Sequence, residues 1–211
     1  MGVDERTESD ALDDAPHRDE ALSHRSETFN DATRQYILAF SVTGHIRIIN
    51  DPVELVPLLI TFNDEKYKQI YELLNRAWMT EAELETAVGG DAVDECITIL
   101  KKGNLIEEQW RMPEPGKRPE KEFRATYSKF RANFQCGMND LSDLLYLAIS
   151  NDEALRTMVE NVEVELESGN VSINDLARKY GVSPVYIRGV AKRSQRMDVK
   201  GQGLVFLDRA R

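Results

Sequence analysis

Basic side chains are concentrated in two short stretches of this sequence. Residues 111–131 hold seven Lys or Arg against three Glu, and residues 171–200 hold seven against two Asp. Grouped cations of this kind bind phosphate oxygens of nucleic acids. The whole chain has a formal net charge of −10, but phosphate contacts depend on the local field within ~8–10 Å. The distribution of charge is therefore typical of a selective DNA-binding protein.

The residues that build catalytic or metal sites are sparse. Cys96 and Cys136 are far apart in sequence and lack a Cys-x-x-Cys partner, and two of the three histidines lie in an acidic leader. The sequence shows no nucleophile–base pair, glycine-rich phosphate loop or ligand cluster. We expect neither an enzyme nor a cofactor or metal site, and we interpret Trp78 and Trp110 as core or strand packing.

A three-helix unit followed by a hairpin must position the first basic stretch. Apolar residues at helical spacing, a capping box from Thr80 to Glu83 and the Gly89-Gly90 pair mark its helices. Pro52 favours a short helix beginning after Asp51. The predicted order is a strand within 36–49, helices over 64–77, from 80 to Gly89 and from 91 to 102, then strands over 105–111 and 123–127 joined by a proline-rich loop.

A helix-turn-helix unit carries the second basic stretch. Ser172 caps its first helix, Gly181 supplies a left-handed turn, and Ser183 with Pro184 begins its second helix. A small β-hairpin is predicted over 197–207. Residues 139–168 precede this unit and form one kinked helix or two helices, with an acidic outer face.

The predicted fold class is mainly α with small β-hairpins (α+β): a winged helix-turn-helix plus a second, C-terminal helix-turn-helix unit. The expected organisation is a disordered acidic leader over 1–33, a winged-helix domain over 34–136, an acidic helical linker or dimerisation segment over 137–168, and a C-terminal domain over 169–211. With neither a membrane-length apolar run nor a signal sequence, the protein is expected in the cytoplasm.

Several longer stretches resemble the archaeal ArsR-type winged-helix transcriptional regulators. They are residues 103–110, 113–119, 127–136 and 186–193, and the resemblance covers roughly residues 36–208. It implies a transcription factor that binds double-stranded DNA as a homodimer. Metal-sensing members carry a Cys-x-Cys pair in a helix, and because this chain has none, metal sensing is not carried over.

Two sets of side chains are predicted to contact DNA. The second helix of the C-terminal unit is predicted to read base edges in the major groove through Tyr186, Arg188, Lys192 and Arg193. The first wing is predicted to hold phosphates without reading sequence through Lys117, Arg118, Lys121 and Arg124. The third helix of the first unit is less suited, since its acidic residues would repel phosphate where it meets DNA: Asp91, Asp94 and Glu95.

The alternative hypothesis is a tandem winged-helix scaffold that binds proteins of the transcription or chromosome-organisation machinery and makes no sequence-specific contact with DNA. The acidic leader and the acidic third helix favour this alternative. The two basic stretches favour DNA. A steep dependence of DNA binding on salt would separate the two classes.

Overall fold

Four helices and five strands make up the first part of the described chain. The computed structural model describes residues 45–112 and 118–207; the predicted leader and the start of the predicted first strand lie outside these ranges. The elements are β1 (His45–Ile49), α1 (Leu55–Asn63), α2 (Glu65–Arg76), β2 (Met79–Thr80), α3 (Glu81–Val88), α4 (Val93–Lys102), β3 (Ile106–Arg111), β4 (Glu120–Ala125) and β5 (Tyr127–Ala132).

The remaining described residues form four more helices and a hairpin. The segment predicted as one kinked helix or two is two helices, and the predicted helix-turn-helix and hairpin follow. The elements are α5 (Met138–Ile149), α6 (Glu153–Glu167), α7 (Ile173–Tyr180), α8 (Pro184–Arg193), β6 (Met197–Lys200) and β7 (Gly203–Phe206). The predicted fold class, mainly helical with small sheets, is confirmed.

Local capping explains where several helices begin. The Thr80 hydroxyl accepts from the Glu83 backbone N–H while the Glu83 carboxylate accepts from the Thr80 N–H, which is the predicted capping box. The Asp64 carboxylate accepts from the first N–H groups of α2. The third helix was predicted to begin at residue 91, but α4 begins two residues later, at Val93, because Gly90–Ala92 form a 3₁₀ turn.

The strands form three small sheets. The order β2-β4-β3 is antiparallel and contains the predicted wing, and β6 pairs with β7. The predicted returning strand over 123–127 is displaced: β4 ends at Ala125, and residues 127–132 form a separate strand parallel to β1. This pairing joins segments far apart in sequence, so local alternation did not reveal it.

Helix α8 packs in two hydrophobic clusters, separate from the one that fills the three-helix unit and wing. The first contains Val53, Val56 and Leu144, with Val185 of α8 packed against them, and the second fills the space among α6, α7, α8 and the C-terminal hairpin. Ile187 and Val190 of α8 are fully buried in the second cluster. On another side of α8, a Cβ at Gly189 would lie only 2.5 Å from Leu147 Cδ1 of α5. Helix α8 is therefore packed on two sides, and the described residues belong to one compact unit.

Candidate nucleic-acid interface

Helix α8 begins as the sequence predicted. Ser183 Oγ accepts from the Tyr186 N–H, and Pro184 occupies the first turn, where its missing N–H leaves no bond unmade. Gly181 ends α7 with φ +66°, the left-handed conformation that glycine adopts without strain. The helix-turn-helix is thus formed by local signals, and the position of its charged side chains depends on what packs around it.

Two of the predicted base-reading cations pair with carboxylates of the same chain. The Arg188 guanidinium donates to the carboxylate of Asp51, and both side chains are about two-thirds buried. Lys192 Nζ lies 2.9 Å from Asp198 Oδ1 and donates to the main-chain carbonyl of Lys102. Contact with DNA stays a prediction for both residues. In this arrangement each has an internal anion or carbonyl where a base or phosphate would bind.

The other two predicted readers of α8 also face the protein. Arg193 donates to the carbonyl of Leu147 at the end of α5 and to the side-chain oxygen of Asn151, and its partial burial lowers the pKa of the guanidinium. Tyr186 packs against the C-terminal hydrophobic cluster, and burial raises its pKa. All four side chains therefore lie against other parts of the same chain. We call the surface where α8 meets Asp51, α4 and α5 the seam.

A buried lysine joins the same seam from the opposite side. Lys102, the last residue of α4, donates from Nζ to three main-chain carbonyls at the end of α8 and beyond it, those of Ala191, Ser194 and Met197. Burial lowers the pKa of Lys102 to about 7, while the Asp198 carboxylate acts in the opposite direction. Lys102 supplies donors to carbonyls that the last turn of a helix leaves unpaired.

The predicted wing cations do not share one face of the hairpin. In the register of β3 with β4, Lys121 lies opposite Trp110, and Arg124 lies opposite Glu107. Side chains alternate along a strand, so Lys121 and Arg124, three positions apart, point to opposite faces. Lys121 lies on the α4 side, with its Nζ 3.1 Å from Glu108 Oε1.

The remaining wing cations that the structure describes have no ion pair like that of Lys121 with Glu108. Arg118 is exposed at the start of the returning limb, and Arg124 is partly exposed. Lys117 lies outside the described residues. Within the described part of the chain, the guanidinium groups of Arg118 and Arg124 have no ion pair. These two wing residues are therefore the ones available for phosphate contact.

Two further cations lie on β5, and residue-by-residue reasoning did not select them. Lys129 and Arg131 are exposed and pair in register with Ile46 and Ile48 of β1, so all four share one face of the parallel sheet. Their spacing of two residues, inside the basic stretch already recognised, was the signal available in the sequence. Recognising it required assigning residues 127–132 as a strand.

Unpaired cations are concentrated in this part of the molecule. Within residues 45–112 and 118–207, seven Lys or Arg side chains make neither an ion pair nor a hydrogen bond, and four of them lie between residues 118 and 131. We call these four the basic ribbon: Arg118, Arg124, Lys129 and Arg131. The other three are separate from it: Lys66, Arg76 and Lys200.

The first helix-turn-helix presents acid rather than base over most of its exposed surface. Asp94 and Glu95 are exposed in the first turn of α4, and Glu81 and Glu85 are exposed on α3. Partial burial, and then the nearby carboxylates of Asp94 and Glu85, raise the pKa of Glu81. This clustering supports the expectation that the acidic end of α4 repels phosphate. The side chain of Asp91, which was part of that expectation, lies outside the described part of the structure.

Within residues 45–112 and 118–207, no three His, Cys, Asp or Glu side chains are arranged to hold a metal ion. Cys96 is buried and its Sγ donates to the carbonyl of Tyr67, and burial raises the thiol pKa well above its ordinary value. None of the helices in these ranges is long and apolar enough to cross a membrane.

Three helices followed by a β-hairpin, with the third helix packed against that hairpin, define a winged-helix protein. Comparison with protein families agrees: residues 49–208 match the family described as ArsR transcriptional regulator. The match covers more than half of the 211 residues, and the chain belongs to this family of transcriptional regulators. A comparison with curated proteins found no match.

Proposed function

We propose that this ArsR-family chain is a cytoplasmic, DNA-binding transcriptional regulator that contacts the phosphate backbone through the basic ribbon. The observation that carries the proposal is the concentration of unpaired cations in residues 118–131, of which Arg124 is partly exposed and the other three are exposed. Cations already paired with carboxylates gain little from phosphate, since one anion replaces another. Unpaired cations exchange only water and counterions for phosphate, and the released counterions favour binding.

The overall negative charge is compatible with this role. Carboxylates farther than a Debye length, ~8–10 Å, are largely screened at physiological salt, so the field at the ribbon depends on near neighbours. The described strands β1 and β5 contain no Asp or Glu. Their exposed face pairs two cations with two isoleucines, and phosphate meets no carboxylate from these two strands.

Base reading by α8 is the step that demands a rearrangement. DNA would have to replace Asp51 at Arg188, Asp198 at Lys192 and the Leu147 carbonyl at Arg193. We therefore separate the two parts of the mechanism: the ribbon positions the duplex, and α8 reads bases only if its internal partners are released. Arg188→Ala and Lys192→Ala test the second part, because unchanged affinity and sequence preference would exclude α8 as the reader.

The proposal is tested by titrating the protein's own promoter region and a shuffled duplex of equal length at two salt concentrations. Lys129→Gln/Arg131→Gln removes two ribbon cations, and Lys66→Gln/Arg76→Gln is the matched control on α2. Because log K falls with log salt, each lost phosphate contact should reduce the magnitude of this negative slope by about 0.9. We expect a fall of about 2 for the ribbon variant and none for the control; equal slopes would refute the ribbon.

A protein-binding scaffold is the second candidate, and the acidic surface of α3 and α4 favours it. Winged-helix folds serve several functions, so the fold does not decide between them. A folded protein that binds neither duplex at low salt would support the scaffold. A pull-down with transcription-machinery proteins would then follow, with Glu81→Gln/Glu85→Gln expected to weaken capture of a basic partner.

We further propose a homodimer that packs through helix α5. Met138, Leu145 and Ile149 are 80%, 41% and 54% exposed and lie at helical spacing on one face. Such a stripe is typical of a helix that packs against another helix. Leu145→Gln/Ile149→Gln should convert a dimer to a monomer in light scattering, whereas Val164→Gln, an exposed valine of α6, should not.

A further inference from the structure

Trp110 has an unusual position for a large aromatic side chain. The sequence suggested packing, but the side chain is 64% exposed and belongs to none of the hydrophobic clusters among the described residues. Met112, two residues further along the chain, is 88% exposed. Burying either side chain against a ligand would gain the free energy that folding leaves unused.

The surroundings of Trp110 are basic on the side that faces α4. Lys121 Nζ lies 5.5 Å from the centre of the indole ring. The Glu108 carboxylate accepts from Lys121 on β4 and, at 2.8 Å, from Lys101 in the last turn of α4. The exposed ring therefore lies beside Lys121, and Lys121 shares the Glu108 carboxylate with Lys101. Because one carboxylate serves two ammonium groups, an incoming phosphate can take over Lys121.

Helix α4 is electrically polarised along its length. Asp94 lies in its first turn and Lys101 in its last, about 10 Å apart at 1.5 Å rise per residue. The acidic end would repel a phosphate backbone, whereas the end at Lys101 adjoins Glu108 and Lys121 of the wing. A duplex that approaches this face is thus directed towards Trp110 and away from the acidic first turn.

We infer that Trp110 is a DNA-contacting residue whose indole packs against the bases or deoxyriboses in a groove of the duplex, while Lys121 binds a flanking phosphate and Lys101 keeps Glu108 as its partner. The inference rests on the proposed function and adds an apolar contact to it. Apolar side chains that insert beside bases are flanked by cations in many DNA-binding proteins. Aromatic rings also stack on bases without needing a particular sequence.

Intrinsic fluorescence provides a direct test, because the chain has two tryptophans. Trp78→Phe leaves Trp110 as the sole tryptophan in the full chain. Titration with a promoter duplex should quench its emission with the same midpoint as binding measured by anisotropy. Saturated binding with unchanged emission would overturn the inference.

Affinity measurements separate this contact from the ribbon. Trp110→Ala should weaken binding about fivefold or more and leave the salt slope unchanged, and Trp110→Phe should restore most of the affinity. The matched control is Phe206→Ala, since Phe206 is another exposed aromatic with a cation, Arg196, 5.5 Å from its ring centre. If the ribbon variant loses slope but Trp110→Ala behaves like the control, the inference fails and the proposed function stands. If no duplex binds, both fail.

Discussion

Replacement of Lys102 by methionine tests the seam between the winged helix and the C-terminal unit. The side chain is 9% exposed, and its ammonium donates to three carbonyls contributed by residues 191, 194 and 197. Methionine has a similar length and fills a similar volume, so the loss of donors dominates over the loss of packing. We expect the C-terminal end of α8 to lose its main polar attachment to α4.

The expected magnitude follows from the burial of these groups. A hydrogen bond from a charged donor contributes about 1.5–3 kcal/mol, and a buried acceptor left without a partner costs about 1–3 kcal/mol. Three such bonds are not additive, and removing the buried ammonium also removes its own desolvation cost. We therefore expect the free energy of unfolding to fall by about 3–5 kcal/mol, which corresponds to a Tm lower by on the order of 10 °C for a chain of this size.

The assay is urea unfolding followed by circular dichroism at pH 6, where Lys102 is charged because the pH lies below its pKa of about 7. Lys101→Met is the matched control: Lys101 is the adjacent residue, its side chain is 46% exposed, and it pairs with Glu108 at the surface. A surface pair contributes about 1 kcal/mol or less. A difference between the two variants below about 1 kcal/mol would refute the reasoning.

Two further predictions concern packing and charge. In thermal melts, Gly189→Ala should destabilise by roughly 1–3 kcal/mol, because the new Cβ would lie 2.5 Å from Leu147 Cδ1, whereas Gly90→Ala, with no atom within 4 Å of its added Cβ, should not. The hydrogen bonds from Arg111 are the main cause that lowers the pKa of Glu83 to about 2. Since the pKa is depressed in the folded state, this stabilisation is complete above about pH 4.5 and is lost as the pH falls through about 2. The stability difference between the wild type and Glu83→Gln, about 1 kcal/mol or less at pH 7 for this partly exposed pair, should therefore be smaller in urea unfolding at pH 3.

Each of these predictions has an outcome that contradicts it. An equal Tm for Gly189→Ala and Gly90→Ala would mean that α5 and α8 separate without cost at Leu147. A difference between wild type and Glu83→Gln that stays constant from pH 7 to pH 3 would mean that Arg111 does not hold the Glu83 carboxylate in its charged form.

Much of the secondary structure was available from the sequence because its signals are local. The Thr80–Glu83 capping box, the Ser183 cap with Pro184, and the left-handed Gly181 each involve residues within a few positions of one another. Such signals act within one turn of chain and need no tertiary partner. The helix-turn-helix and the wing were predicted on that basis.

Part of the candidate interface was also within reach of the sequence. The basic stretch over 111–131 was recognised, and strand alternation alone places Lys121 and Arg124 on opposite faces of the wing. The contribution of Lys129 and Arg131 was not recognised, because it depends on β5 pairing with β1 across about 80 residues. Parallel pairing of distant segments has no short-range signal.

The environment of helix α8 was decided by tertiary structure alone. Its apolar spacing predicted which side chains are buried, and Ile187 and Val190 are buried. The same spacing carries no information on what approaches the charged positions, and the carboxylate that holds Arg188 belongs to Asp51, 137 residues away in sequence. Periodicity specifies the faces of a helix, whereas the partner of each face depends on how distant segments pack together. That is why the basic side chains of α8 look free for DNA in the sequence and are paired within the folded chain.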